Sequence, residues 1–291
     1  SLNMSLIEAR PVAAALGAEI LGLDATAPLA SAALRRLHEL WHAHLVLIMR
    51  DQRLNDAQLL AFSRQFGELE PPGPNPYGRS YLPDYPEINV VANVEINGIP
   101  GNLGSGELIW HADMTYVERP PRAGILHALE VPAAGGNTYF ANLYLAYERL
   151  PADLKRAIDG RVAIHDATYN SSGLMRKGYQ PVQDPRQAPG ARHPLIRVHP
   201  ATGRKGLFLG RSRNSYIVGL ELAESEAILD ALWAHATQPD FVMSHAWRPG
   251  DLLIWDNRCT LHRRDAVDPQ TRRIMHRTQV REDAAVTQAA E

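Results

Sequence analysis

The apolar positions of this chain follow two periods, and each period marks a kind of element. Leu34, Leu37, Leu40 and Trp41 recur at steps of three and four, which puts them on one face of a helix with Ser31 as the predicted N-cap. Leu59, Leu60 and Phe62 repeat that step in a second helix, which Asn55 can cap and which ends near Gly67. Further helices are predicted over Leu143–Leu150, Ala152–Ile158 and Ala223–Ala236. The other apolar runs are short, rich in branched residues and bounded by turn formers, so they predict strands. These runs are Ala18–Leu23, Leu45–Met49, Ile88–Val94, Gly124–Leu129, Thr138–Phe140, Arg161–His165, Leu195–His199, Gly206–Leu209, Phe241–Trp247, Asp251–Trp255 and Arg273–Val280. Many strands and few helices predict a mainly β fold with flanking helices, two sheets stacked as a jelly roll.

Three stretches break the periodicity. Pro71, Pro72, Pro74 and Pro76 interrupt regular structure. Gly98 to Gly106 is glycine-rich and reads as a plain connector or as a mobile lid or pocket wall. It lacks the Gly-Lys-Ser/Thr ending of a phosphate loop, which leaves nucleotide binding without support. Residues 168–192 are polar with Gly and Pro, a long excursion of the kind that is functional or disordered. No internal repeat is visible, so residues 1–291 are read as one domain, with 285–291 as a frayed tail.

Composition changes this picture little. The 291 residues are 45% hydrophobic and 21% charged, enough for a sizeable core. A net charge of −2 gives no pull toward nucleic acid or an anionic membrane, so the expected partner is a small molecule. The single cysteine, Cys259, forms no intrachain disulfide and fits a reducing compartment. No apolar run approaches the roughly 18 residues of a membrane span, and the start lacks the layout of a signal peptide. The expected location is cytoplasmic.

Chemistry enters at Trp110-His111-Ala112-Asp113 and, far downstream, at Trp255-Asp256-Asn257-Arg258-Cys259-Thr260-Leu261-His262. A histidine and an acid two residues apart, plus one distant histidine, form the ligand set of a two-histidine-one-carboxylate iron site. Such a site leaves one face of the metal open for oxygen and an organic acid. On a strand, His111 and Asp113 would point to one side and Ala112 to the other. His262, beyond the Asp251–Trp255 strand and a short turn, can arrive from a neighbouring strand. Taken alone, a His-x-Asp pair also reads as a surface or hydrogen-bonded pair.

The run Thr271–Arg277 narrows the choice. On a strand, Arg273, Met275 and Arg277 share one face, and Arg272, Ile274, His276 and Thr278 the other. Two buried arginines are costly unless each meets an anion, and a guanidinium presents a fork matched to a carboxylate. A dicarboxylic cosubstrate at one and an acidic substrate at the other would satisfy both; a solvated edge is the alternative. Tyr116 is a candidate pocket wall or core residue. Tyr77, Arg211, Arg213 and Tyr216 are candidates for loops that close over substrate, and Glu107 for a group that receives a cation. His127, His165, His193, His199, His245 and His276 read as packed or hydrogen-bonded, and Cys259 as a small buried group.

Together, Trp-His-x-Asp, Gly135-Gly136-Asn137-Thr138, Trp-Asp-Asn-Arg with Thr-x-His, and Arg-Arg-Ile-Met-His-Arg resemble the taurine/2,4-dichlorophenoxyacetate dioxygenase family. The resemblance runs from Leu21-Gly22-Leu23-Asp24 and Phe62-Ser63-Arg64-Gln65-Phe66-Gly67 to about Val280. It implies a double-stranded β-helix and an Fe(II)- and 2-oxoglutarate-dependent oxygenase. Such an enzyme uses O2 to hydroxylate a small anionic substrate, with release of succinate and CO2. It implies iron ligation by His111, Asp113 and His262. It implies that Arg273 and Thr138 hold the far carboxylate of 2-oxoglutarate, and that Arg277 holds the substrate's anionic group. Homo-oligomers are common in the family. Glu68 to Pro74 lacks the histidine that taurine-specific members carry, which argues against taurine, and the retained Asp113 argues against a halogenase.

Two other readings of these residues stay open. The three ligands could hold zinc for hydrolysis, which leaves Arg273 and Thr138 without a task. A non-catalytic jelly roll could bind a metal or a small acid.

Overall fold

In the strand Leu252–Asp256, Leu252 and Ile254 pack toward helices on one side, while Leu253 and Trp255 enter a second core on the other. Its neighbour Val46–Met49 divides the same way, with Leu47 and Met49 outward and Val46 and Ile48 inward. This period of two makes one sheet the wall between two cores. The computed structural model describes residues 7–72, 77–102, 108–210 and 215–288.

The larger sheet runs, in spatial order, Glu8–Pro11, Ala18–Leu21, Val46–Met49, Leu252–Asp256, Ala123–Glu130, Ile274–Val280 and Leu69–Glu70, with Asn89–Ala92 also paired to Ile274–Val280. Ala18–Leu21 and Val46–Met49 pair in parallel, and the other pairs are antiparallel. The smaller sheet runs Val242–His245, Thr138–Asn142, Thr260–Arg264 and Leu108–His111. Ile48, Leu126, Trp255 and Met275 of the larger sheet meet Phe140 and Met243 of the smaller one, which closes the inner core. This is the expected jelly roll.

Helices seal the outer faces. Ser31–His44 and Asp56–Arg64 lay Leu37, Trp41, Leu59 and Phe62 against the larger sheet. Leu222–Ala236 places Leu232 in the core that includes Ala141 and Leu261 of the smaller sheet. Asn55 caps its helix as expected: Asn55 Oδ1 accepts from the Gln58 N–H at 2.8 Å, and Gln58 Oε1 accepts from the Asn55 N–H at 2.9 Å. Ser31 does not cap the first helix. It is the first helical residue, and Ala30 at the N-cap makes no side-chain bond.

Two strands absent from the hydrophobic pattern, Leu108–His111 and Thr260–Arg264, carry the candidate histidines. The tail is more ordered than expected. Thr287–Gln288 pairs with Arg197 and Val198, so the backbone there is held by a strand partner. Residues 289–291 lie outside the described residues. No helix among the described residues is long and apolar enough to cross a membrane.

Candidate active site

Strand register brings the two histidines together. Thr260–Arg264 lies between Thr138–Asn142 and Leu108–His111, with His262 directly opposite His111 on one side and Phe140 on the other. Opposite residues of an antiparallel pair sit side by side, and the His111 and His262 ring centroids are 4.2 Å apart. The acid arrives differently from the sequence expectation. The strand ends at His111, and Asp113 lies in the turn that follows. Met114 then takes a left-handed backbone, φ 52°, which reverses the chain.

Asn257 fixes this turn. Its Oδ1 accepts from the Asp113 N–H at 2.8 Å, and its Nδ2 donates to Asp113 O at 2.9 Å and to Pro121 O at 3.0 Å. A primary amide can accept and donate from one short planar group, so Asn257 acts as a strand partner for a residue that has none. Asp113 Oδ1 is thereby held 3.4 Å from His111 Nε2 and 3.5 Å from His262 Nε2.

These three residues fit a metal. Their ligand atoms lie within 4.8 Å of one another, and all three side chains are buried. His111 Nδ1–H donates to Ile109 O at 2.7 Å, which leaves Nε2 as the ligating nitrogen. Asp113 Oδ2 is buried without a hydrogen-bond partner, as expected of an oxygen that serves a cation. Burial alone would raise the Asp113 carboxyl, but His262, His111 and Arg277 beside it hold it well below the usual carboxylate range.

A second cluster, His199, Asp256 and Cys259, also converges. Its atoms are already committed. His199 Nδ1 accepts from the Ala201 and Thr202 N–H groups, His199 Nε2 donates to Asp256 Oδ2 at 2.8 Å, and Arg258 grips both Asp256 oxygens. It is a buried ion network that braces the Trp-Asp-Asn-Arg segment.

His111, Asp113 and His262 open into a cavity of about 290 Å³. Thr138, Arg264 and Arg273 also line it. Arg273 is 4% exposed, and among the described residues its side chain donates to Gly136 O at 3.4 Å. Burial, then Arg264, pushes its guanidinium down to about 9. A buried cation without a carboxylate is costly, so this position is built for an anionic ligand. Thr138 Oγ1 accepts from Trp247 Nε1 at 2.9 Å, which leaves its own O–H free to donate into the cavity.

Arg277, Gln279 and Tyr116 line the same cavity. The expected faces of the Ile274–Val280 strand hold: Arg273, Arg277 and Gln279 face the cavity, whereas His276 bonds Asp56 and Thr278 bonds Ser63 on the outer side. Tyr216 is not a lid residue. It is buried in the strand Tyr216–Ile217, and its hydroxyl donates to Leu220 O at 2.6 Å. Tyr77 is exposed and does not line the cavity. Arg211, Arg213 and Glu107 lie outside the described residues. Of the glycine-rich loop, Ile99 is buried and Asn102 lines the cavity, so this part is a packed pocket wall; residues 103–106 lie outside the described residues.

The remaining histidines and Cys259 are structural, as expected. His127 bonds Gln52 O, His193 bonds Thr115 O, His245 bonds Asp251 and His165 packs on Phe208. Sequence reasoning assigned no role to Asn257, Arg264 or Arg176, all of which bear on the site. Arg264 was accessible from the i, i+2 rule applied to His262. Asn257 stood inside a quoted motif, and Arg176 in a loop with no periodicity to place it.

The model of the family described as "Taurine catabolism dioxygenase TauD, TfdA family" matches residues 8–279. An alpha-ketoglutarate-dependent 2,4-dichlorophenoxyacetate dioxygenase of Cupriavidus pinatubonensis is 35% identical over 291 residues, covering 97% of this chain and 100% of that protein. An (S)-phenoxypropionate/alpha-ketoglutarate-dioxygenase of Sphingobium herbicidovorans is 33% identical, covering 94% of this chain and 95% of that protein. Among solved structures, AAD-2 in complex with Mn(II) and N-oxalylglycine superposes with a TM-score of 0.79 at 29% identity, covering 97% of this chain and 99% of that one. A taurine dioxygenase from Burkholderia xenovorans gives a TM-score of 0.78 at 32% identity, covering 97% and 93%.

Proposed function

Because the chain belongs to the TauD/TfdA family of dioxygenases, we propose that it is an Fe(II)- and 2-oxoglutarate-dependent dioxygenase that hydroxylates a small anionic organic substrate. One observation carries the reading: among the described residues, three buried candidate ligand side chains, one with an oxygen that no other group satisfies, share a cavity with a buried arginine that has no acid partner. A zinc hydrolase has no task for that arginine, and the match to a dioxygenase family favours an enzyme over a non-catalytic metal- or small-acid-binding protein.

His111, Asp113 and His262 would hold one face of the ferrous ion. With 2-oxoglutarate and O2, the metal supplies the oxidising chemistry, so that the cosubstrate becomes succinate and CO2 while a substrate C–H becomes C–OH. Arg273 would fork onto the distal carboxylate of 2-oxoglutarate, and the Thr138 O–H would donate to the same group. A charged hydrogen bond of this kind is worth roughly 1.5–3 kcal/mol. Arg277 would hold the substrate's anionic group, while Tyr116, Trp255 and Leu126 wall the cavity against water. The relatives named for phenoxyacetate and phenoxypropionate support an anionic substrate. A single catalytic domain, a homo-oligomeric assembly and a cytoplasmic setting belong to the same reading, supported by the family match and the lone buried cysteine.

The test is 2-oxoglutarate-dependent oxygen consumption and succinate release after anaerobic loading with iron. Wild-type protein is expected to turn over, and His111→Ala to lose turnover together with metal binding. An undiminished rate in iron-loaded His111→Ala would reject the ligand assignment.

A further inference from the structure

We propose that Arg176 is a second anion anchor, and that the main substrate carries two negatively charged groups, one for Arg277 and one for Arg176. The inference rests on the dioxygenase reading and deepens it.

Arg176 comes from the long excursion between the strands Val162–Ile164 and Arg192–Pro194, not from either sheet of the jelly roll. The excursion nevertheless has a fixed geometry. The Arg176 N–H donates to Thr168 O at 2.7 Å, and the Ala191 N–H donates to Tyr116 O at 2.9 Å. His193 Nε2 lies 2.8 Å from Thr115 O and 2.9 Å from Val117 O, which ties down the backbone on both sides of Tyr116. On this platform the Arg176 guanidinium lies 3.9 Å from the Tyr116 ring centroid, and both residues line the cavity.

Stacking uses the face of a guanidinium. Its N–H groups lie in the plane, at the edge, and remain available to an oxyanion. Arg176 Nε is buried without a hydrogen-bond partner, and Arg277 Nε is in the same condition. No acid pairs with either arginine among the described residues. Arginines on the surface behave differently: Arg186 pairs with Asp184, Arg204 with Glu148, and Arg272 with Glu130.

Charge then decides the substrate class. Arg273 is matched by the distal carboxylate of the cosubstrate. The two charges of the metal are matched by Asp113 and the carboxylate of the keto acid. Among the described residues, four arginines line the cavity; Arg264 lies beside Arg273 at the cosubstrate end, so Arg277 and Arg176 remain for the substrate, and Asp113 is the sole acid among the described lining residues. A monoanion would neutralise one of the two and leave a half-buried cation unmatched. Asn102, Asn170 and Ser171, which line the same cavity, add hydrogen-bonding groups suited to a second oxyanion. The chemistry that fits is a small organic acid with a second carboxylate, sulfonate or phosphonate, set apart from the first.

The experiment uses full-length protein loaded with Mn(II) and N-oxalylglycine, an unreactive stand-in for 2-oxoglutarate. Dicarboxylates and phosphonocarboxylates of graded length are titrated by calorimetry against monocarboxylates of matched carbon number, with wild-type, Arg176→Gln and Arg176→Lys proteins. In wild type, the best dianion is expected to bind on the order of tenfold or more tighter than its matched monoanion. Arg176→Gln is expected to erase that preference while N-oxalylglycine affinity and melting temperature stay in place, and Arg176→Lys to keep part of it. Equal binding of both classes by wild type, or equal weakening of both by Arg176→Gln, would overturn the proposal. If Arg176→Gln misfolds, its N-oxalylglycine affinity falls and Arg176→Lys carries the test: a reduced dianion advantage supports the proposal, and an unchanged one overturns it. Failure of wild type to bind Mn(II) with N-oxalylglycine would instead strike the dioxygenase reading, and the inference with it.

Discussion

At the scale of single residues, the acid of the proposed metal triad depends on a side chain that supplies no ligand atom itself. Met114 sits at φ 52°, a conformation that costs a non-glycine residue about 1–3 kcal/mol, and the three hydrogen bonds of Asn257 hold the chain there. Asn257→Ala removes all three bonds and lets Asp113 swing away from His111 and His262. Metal affinity is expected to fall by roughly 10–100-fold, the range for lost partners of metal ligands. Mn(II) titration followed by electron paramagnetic resonance measures this directly. Met114→Gly in the same background removes the strain and is expected to recover part of the affinity. Unchanged Mn(II) binding in Asn257→Ala would show that the turn holds itself.

At the scale of elements, the site is a consequence of strand pairing. Trp255 lies opposite Gly124, and a Cβ on Gly124 would sit 2.2 Å from Trp255 Cζ2. Trp255 also packs against His262, with ring centroids 5.0 Å apart. Gly124→Ala therefore has to push the indole toward His262. Overpacking of this kind costs about 1–3 kcal/mol. A lower melting temperature and weaker Mn(II) binding are expected together; a melting temperature equal to wild type would mean that the indole has room to move. The Ile274–Val280 strand shows what sequence reads well at this scale, because alternation alone placed Arg273 and Arg277 on one face. Asp113 shows what it reads badly. The i, i+2 rule put the acid on a strand, but the strand stops at His111, and a turn held by a residue 144 positions away does the placing.

At the scale of the whole molecule, buried titratable groups set the response to acid. Burial, and secondarily His193, holds the His165 imidazole well below its ordinary value, and burial lowers His193 in spite of the two carbonyls it faces. The unfolded chain takes up these protons near pH 6.5 and the folded chain does not, so stability is full above that pH and declines as the pH falls through it. Asp256 behaves in the usual carboxylate sense. Burial alone would raise it, but Arg258 and His199 hold it well below its ordinary range. Its contribution is present above the unfolded value, near 4, and is lost as the pH falls below it. The metal-free protein is expected to lose melting temperature in two steps, one below about pH 6.5 and one below about pH 4. His165→Phe is expected to shrink the first step. A melting temperature that stays flat from about pH 8 to about pH 5 would reject the histidine contribution.

The sequence by itself determined the fold class, the helices, most strands, the family, and the identity of the metal and cosubstrate candidates. Each of these is written in local periodicity or in short ordered motifs, and neighbours along the chain are enough to read them. The tertiary structure decided which side of the molecule each loop reaches. The Asn257 clamp on Asp113 and the seating of Arg176 over Tyr116 join residues far apart in the chain or in aperiodic turns. It also removed Tyr216 from the pocket and paired the tail with a strand. Such contacts follow from the closing of two sheets around a cavity, and no local period encodes them.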